Sequence, residues 1–171
     1  EKHRTKVDAI VSERALRELY LRGFEIAVKL GGANAVMTSY NPVNGVWSAS
    51  NYDLNTTILR GEWGFTGIVM TDWWASMNDP AEGGESSRQN TAAMVRAQND
   101  LYMVVPNYGA ETNAMGDNTL EALAAGRLTR GELQRSAMNI LRFLMRAPVF
   151  RRGRQPEKTF EAFPADPSRA P

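Results

Sequence analysis

Gly67-Ile68-Val69-Met70-Thr71-Asp72-Trp73-Trp74 is a short apolar run that breaks off in a carboxylate and two indoles. The run from Gly67 to Thr71 is too short for a helix and rich in β-branched residues, so it reads as a buried strand. After Asp72 the chain turns to Gly, Ser and Asn as far as about Arg88, a loop of the length at which function concentrates. Upstream, the spacing predicts a helix around Tyr52 to Arg60 and a second buried strand at Ala35 to Tyr40. That strand ends in the turn formers Asn41-Pro42-Val43-Asn44-Gly45. Earlier still, Ala15, Leu16, Leu19, Tyr20, Phe24, Ile26, Ala27 and Leu30 recur at mostly helical spacing, which predicts an amphipathic helix from Ser12 to about Leu30, stopped by Gly31-Gly32.

Downstream the same rhythm continues. A helix is expected across Thr91 to Gln98, a third strand at Leu101 to Val105 before Pro106, and a helix near Thr119 to Ala125. Thr129-Arg130-Gly131-Glu132 is a capping box, in which hydroxyl and carboxylate each satisfy a free N–H of the first helical turn. The helix it opens should run to about Arg146, burying Leu133, Ala137, Ile140, Leu141 and Leu144, and end at Pro148. From Arg152 to Pro171 apolar anchors are few, and the tail reads as a linker or disordered end. The expected division is residues 1–150 as the folded unit and 151–171 as tail.

Strands alternating with helices imply a parallel sheet covered by helices, either doubly wound or closed into a barrel. A closed barrel takes eight strands and typically about 250 residues, so three strands would make an incomplete one. A doubly wound nucleotide-binding domain is disfavoured because neither a G-x-G-x-x-G nor a Walker pattern follows any strand.

Composition narrows the chemistry. Twenty Lys and Arg face 19 Asp and Glu, and the only basic cluster is Arg151, Arg152 and Arg154, which argues against nucleic acid and anionic membrane as partners. No apolar run approaches the roughly 20 residues of a membrane-spanning helix. Glu1-Lys2-His3-Arg4 opens without an apolar stretch, and the matching expectation is a cytoplasmic location. With no Cys and a single His, thiol nucleophiles, thiolate metal sites and imidazole triads are not expected. Carboxylate, hydroxyl and arginine chemistry remain.

In a parallel α/β sheet the ligand site lies at the carboxyl ends of the strands. Tyr40 and Asn41 end the first strand, Asp72 and Trp73 the second, and Asn107 and Tyr108 follow the third. A carboxylate beside flat indole rings suits a sugar site: the carboxylate attacks or stabilises an oxocarbenium-like centre while the rings pack on the pyranose. Tyr40 could donate a hydrogen bond to that carboxylate. By spacing alone, however, an Asp at a strand end is more often a turn or cap residue, and Trp63, Trp73 and Trp74 more often packing residues. Asp100, ahead of its strand, reads as structural, because that end of a barrel serves stability.

Four segments resemble family 3 glycoside hydrolases: A-L-R-E-L-Y-L-R-G-F-E (Ala15 to Glu25), V-M-T-S-Y-N-P-V-N-G (Val36 to Gly45), L-R-G-E-W-G-F-T-G-I-V-M-T-D-W-W (Leu59 to Trp74) and G-E-L-Q-R-S-A-M-N-I-L (Gly131 to Leu141). The resemblance implies an α/β fold, a partial (β/α)8 TIM-type barrel made of roughly the last three βα units, with a C-terminal helix and an irregular tail. It makes Asp72 the catalytic nucleophile and Trp73 a wall of the glycone subsite, with Tyr40 beside the nucleophile and Met37 near the pocket. The family's N-Q-E-x-x-R run would place an Arg that binds sugar hydroxyls at Arg4. The implied reaction is retaining hydrolysis of terminal, non-reducing β-D-glycosides, with no metal or organic cofactor. The family's Lys-His pair, its earlier strands and the general acid/base on a second α/β domain have no counterpart among these residues, so the chain is expected to be a fragment needing those parts. The alternative is a non-catalytic carbohydrate-binding or interaction fragment.

Overall fold

The computed structural model describes residues 3, 5–79, 81, 85–104, 113 and 115–148. In chain order the elements are helix α1 (Glu13–Ala15), a π-helical segment (Leu16–Tyr20), helix α2 (Arg22–Lys29), strands β1 (Ala35–Met37), β2 (Pro42–Val43) and β3 (Val46–Trp47), and a 3-10 turn (Ser48–Ser50). A second π-helical segment (Asp53–Glu62), strand β4 (Ile68–Trp73), helix α3 (Thr91–Arg96), strand β5 (Leu101–Met103), and helices α4 (Thr119–Ala124) and α5 (Arg130–Arg146) complete them. β1, β4 and β5 form a parallel sheet in that order, each strand joined to the next through a helix. Spatial order thus follows chain order across the sheet, as in a barrel wall.

Register fixes what each face carries. Val36 lies beside Val69, and both pack with Leu59, Phe65, Val28 and Trp63 into a core cluster under the helices. Met37, Met70 and Leu101 line up on the opposite face, where Met37 is 47% exposed. A second cluster, with Ala49, Ala75, Met77, Ala92, Met94, Val95, Ala122 and Leu128, joins α3 and α4 to the loops. Gly67 opens β4 because nothing larger fits: a Cβ there would lie 2.1 Å from the Asn34 carbonyl oxygen.

Three expectations are corrected. The segment Asn41 to Gly45 is not a plain turn but half of the β2–β3 hairpin, whose two turn residues, Asn44 and Gly45, both have positive φ (51° and 82°). The helix expected from Ser12 to Leu30 is helical, yet of its apolar residues only Leu16 is buried, while Leu19, Tyr20, Phe24 and Leu30 are exposed. In α5 the capping box forms, with Thr129 N–H donating to Glu132 at 2.8 Å and Glu132 N–H to Thr129 Oγ1 at 3.2 Å. Its buried residues are Ser136 and Asn139, however, and Leu141 and Leu144 are exposed. Asn139 is turned inward to donate to the Asp100 carboxylate at 2.9 Å, and at that position the bond outweighs the apolar periodicity. The tail from 151 to 171 lies outside the described residues.

Candidate active site

β4 extends to Trp73, so Asp72 is a strand residue and not the first residue of the loop. Met70 pairs with Leu101 and Trp73 with Met103, so three steps along β4 match two along β5. The extra residue makes a β-bulge, a device that re-aims side chains at the rims of sheets. Thr71, fully buried, spans it: Oγ1 accepts from Met103 N–H at 2.9 Å and donates to the Asp72 carbonyl oxygen at 2.8 Å. Past the bulge, Trp74 N–H donates to Met103 O at 3.0 Å, and Trp74 takes φ of 57°, a left-handed conformation that a bulky residue adopts only when its surroundings impose it.

Asp72 is half-buried. Its Oδ1 accepts from the N–H of Trp73 at 3.1 Å, and among the described residues Oδ2 has no partner. Trp73 is 42% exposed. Tyr40 lies three residues beyond Met37, which pairs with Met70, so Tyr40 and Asp72 share the carboxyl end of the sheet. The Tyr40 ring packs on the second core cluster, as does that of Tyr102. Tyr102 donates to the Ala75 carbonyl at 2.9 Å, and burial, with a smaller opposing pull from Arg88, pushes its phenol up to about 12. Met37 lines a cavity of about 560 Å³ between the N-terminal helical segment and β1, walled by Leu16, Phe24, Val36 and Trp63; Asp72 does not line it.

The loops at this end are stitched together. Asn78 accepts from Trp47 N–H (2.9 Å), donates to Gly45 O (3.0 Å), and exchanges two backbone bonds with Ser50 Oγ (2.7 and 3.1 Å). On the hairpin's other side, Asn44 clips both backbone groups of Val11 at 2.9 Å, Asp8 accepts from Gly45 N–H at 3.0 Å, and Ala9 bridges to Val43. The segment from Asp8 to Val11 is thereby held at the Asp72 end. Arg4 itself, like Asn107 and Tyr108, lies outside the described residues. The next carboxylate after Asp72, Asp79, is buried and ion-paired with Arg96.

At the opposite end, Asp100 Oδ2 accepts from Arg60 (2.6 Å) and Val69 N–H (2.9 Å), and Oδ1 from Asn139 (2.9 Å). Arg60 also donates to the carbonyls of Gly67 and Gln98. Burial pushes the Asp100 carboxyl up and the Arg60 guanidinium down, each opposed by the other's charge. This geometry agrees with the structural role expected of Asp100. Sequence reasoning missed Thr71 and Asn78. A Thr before the strand-end Asp and an Asn in the following loop carry no signal until the bulge and the hairpin they serve are known.

Residues 1–143 match the family described as the glycosyl hydrolase family 3 N-terminal domain. A β-glucosidase from Ruminococcus albus is 57% identical over 145 residues, covering 85% of this chain and 15% of that protein. The crystal structure of a β-glucosidase from Paenibacillus barengoltzii matches with a TM-score of 0.83 and 70% identity, over 92% of this chain and 17% of that one. β-Glucosidase 3B from Thermotoga neapolitana, solved in complex with α-D-glucose, matches with a TM-score of 0.70 and 42% identity, over 86% and 19% of the two chains. The chain therefore spans less than a fifth of the length of each of these relatives. A family match over residues 1–143 and a sheet whose spatial order follows chain order lead to one assignment: the chain belongs to the glycosyl hydrolase family 3 N-terminal domain, an α/β domain of TIM-barrel type.

Proposed function

We propose that this chain supplies the nucleophile side of the active site of a retaining β-glucosidase-like enzyme acting on terminal, non-reducing β-D-glycosides. The observation that carries the reading is Asp72: a half-buried carboxylate at a bulged strand end, steadied at Oδ1 and, among the described residues, without a partner at Oδ2, next to an exposed indole. In the first step an Asp72 oxygen attacks the anomeric carbon as the bond to the leaving oxygen breaks, and a general acid protonates that oxygen. In the second, water attacks the same carbon, the conjugate base takes its proton, and Asp72 leaves as carboxylate. Trp73 stacks on the glycone, Tyr40 and Met37 border its subsite, and Arg4 binds its hydroxyls. Support comes from the hairpin clips that hold Asp8 to Val11 at the Asp72 end, and from relatives that are named β-glucosidases, one of them solved with glucose.

Residues 1–150 are, in this reading, the last three βα units of the barrel, and 151–171 a linker. The earlier strands and the acid/base come from the rest of a longer protein, since retaining hydrolysis needs a second carboxyl about 5 Å away and Asp79 is occupied by Arg96. The test is an aryl β-glucoside assay of the chain alone and mixed with the upstream strands. Turnover only in the mixture, abolished by Asp72→Ala, is expected. Turnover that survives Asp72→Ala would remove the nucleophile assignment, and sugar binding without turnover in any mixture would favour a binding fragment.

A further inference from the structure

We infer that Thr71 is a positioning residue for Asp72, its hydroxyl holding open the bulge that turns the carboxylate toward the substrate. The inference rests on the reading of Asp72 as nucleophile. In a parallel ladder that pairs Trp73 with Met103, the Met103 N–H points toward the Asp72 carbonyl and the Met103 carbonyl receives Trp74 N–H. The second of these bonds is made at 3.0 Å. At the first, Thr71 Oγ1 lies between the two groups, accepting from Met103 N–H at 2.9 Å and donating to Asp72 O at 2.8 Å.

One hydroxyl therefore bonds to both strands where the extra residue enters. It is fully buried and both of its bonds go to backbone groups, so it is screened from substrate and acts through the backbone of Asp72. A side chain without that hydroxyl leaves two buried backbone groups to find each other directly. The ladder can do that by drawing Asp72 toward β5, which flattens the bulge and swings the carboxylate. A misplacement of about 1 Å at a reacting group is enough for a loss of about 100-fold in rate.

Thr71→Val keeps the shape and removes the hydroxyl; Thr71→Ser keeps the hydroxyl; Thr71→Ala serves in place of Val should that variant not fold. In the complete protein, each is followed for kcat and KM on an aryl β-glucoside, and for the rate and final extent of covalent labelling by a 2-deoxy-2-fluoro-glucoside. The expected result for Thr71→Val is a kcat and a labelling rate constant lower by roughly 10- to 100-fold, with a full labelling endpoint and little change in KM. Thr71→Ser should restore most of the rate. A merely structural role predicts fewer competent molecules, hence a lower endpoint at an unchanged rate constant, and that result overturns the inference. So does a Thr71→Ser variant as slow as Thr71→Val. Label on a residue other than Asp72 would instead remove the reading beneath it, and the inference with it, while label on Asp72 at the wild-type rate in Thr71→Val removes the inference alone.

Discussion

Asp100, just ahead of β5, and Asp72, on β4, lie at opposite ends of one small sheet, and their surroundings differ in almost every respect. Asp100 receives three hydrogen bonds, one of them from a guanidinium; among the described residues Asp72 receives one, from its own neighbour, and its Oδ2 has no partner. Asp100 is sealed by Arg60 from the π-helical segment and Asn139 from α5, while Asp72 rides on a bulge beside an exposed Trp73. The same side chain is held through both oxygens at one end and, among the described residues, by a single backbone bond at the other. In barrels these are the two ends that divide the work.

The largest effect expected from breaking this contrast is at the sealed end. Arg60→Met should cost about 3–5 kcal/mol in stability, because it strands a buried carboxylate without its counter-charge. Its deficit, read as the shift in urea midpoint, should shrink as pH falls, since a protonated Asp100 needs no cation. A deficit that is small and flat with pH would show that the seal is ornamental.

Tyr102 sharpens the contrast, for it belongs to the open end by position and to the sealed one by burial. Its phenol titrates higher in the fold than in the unfolded chain, so its contribution is complete below about pH 10, the unfolded value, and is lost as pH rises through about 12. Tyr102→Phe should lose about 1 kcal/mol at neutral pH, the net value of the bond to Ala75, and fall less steeply above pH 10 than the wild type. Denaturant midpoints at pH 8 to 11 for both proteins check the sign. The smallest effect is expected at the open end itself: Asp72→Asn should leave stability within about 0.5 kcal/mol, because no ion pair among the described residues depends on its charge. A large loss there would mean that Asp72 is structural after all.

Much of this was legible before any coordinates. Apolar runs at Ile68, Ala35 and Leu101 marked the three parallel strands, and the carboxylate breaking off one of them marked the candidate nucleophile. Val43-Asn44-Gly45-Val46 held a hairpin signal that the density of turn formers obscured: Asn-Gly between β-branched residues favours a two-residue turn with both φ values positive. The face of α5 was misread because periodicity finds apolar stripes, whereas Asn139 is buried by a hydrogen bond that only tertiary structure reveals. The bulge at Thr71 and Asp72 was not legible at all, since one extra residue in a strand changes neither composition nor period. The N-terminal helical segment shows the converse: its stripe is apolar, yet Leu19 and Leu30 are exposed among the described residues, for a sequence says that a face wants a partner and not where the partner lies.

The most direct test of the account is the site of covalent capture. The complete protein, treated with a 2-deoxy-2-fluoro-glucoside whose intermediate turns over slowly, is digested and its peptides are sequenced by mass spectrometry. One glycosyl ester is expected, on Asp72, in the peptide that carries Met70-Thr71-Asp72-Trp73, and none in Asp72→Asn. An ester on any other carboxylate, or capture undiminished in Asp72→Asn, would contradict it.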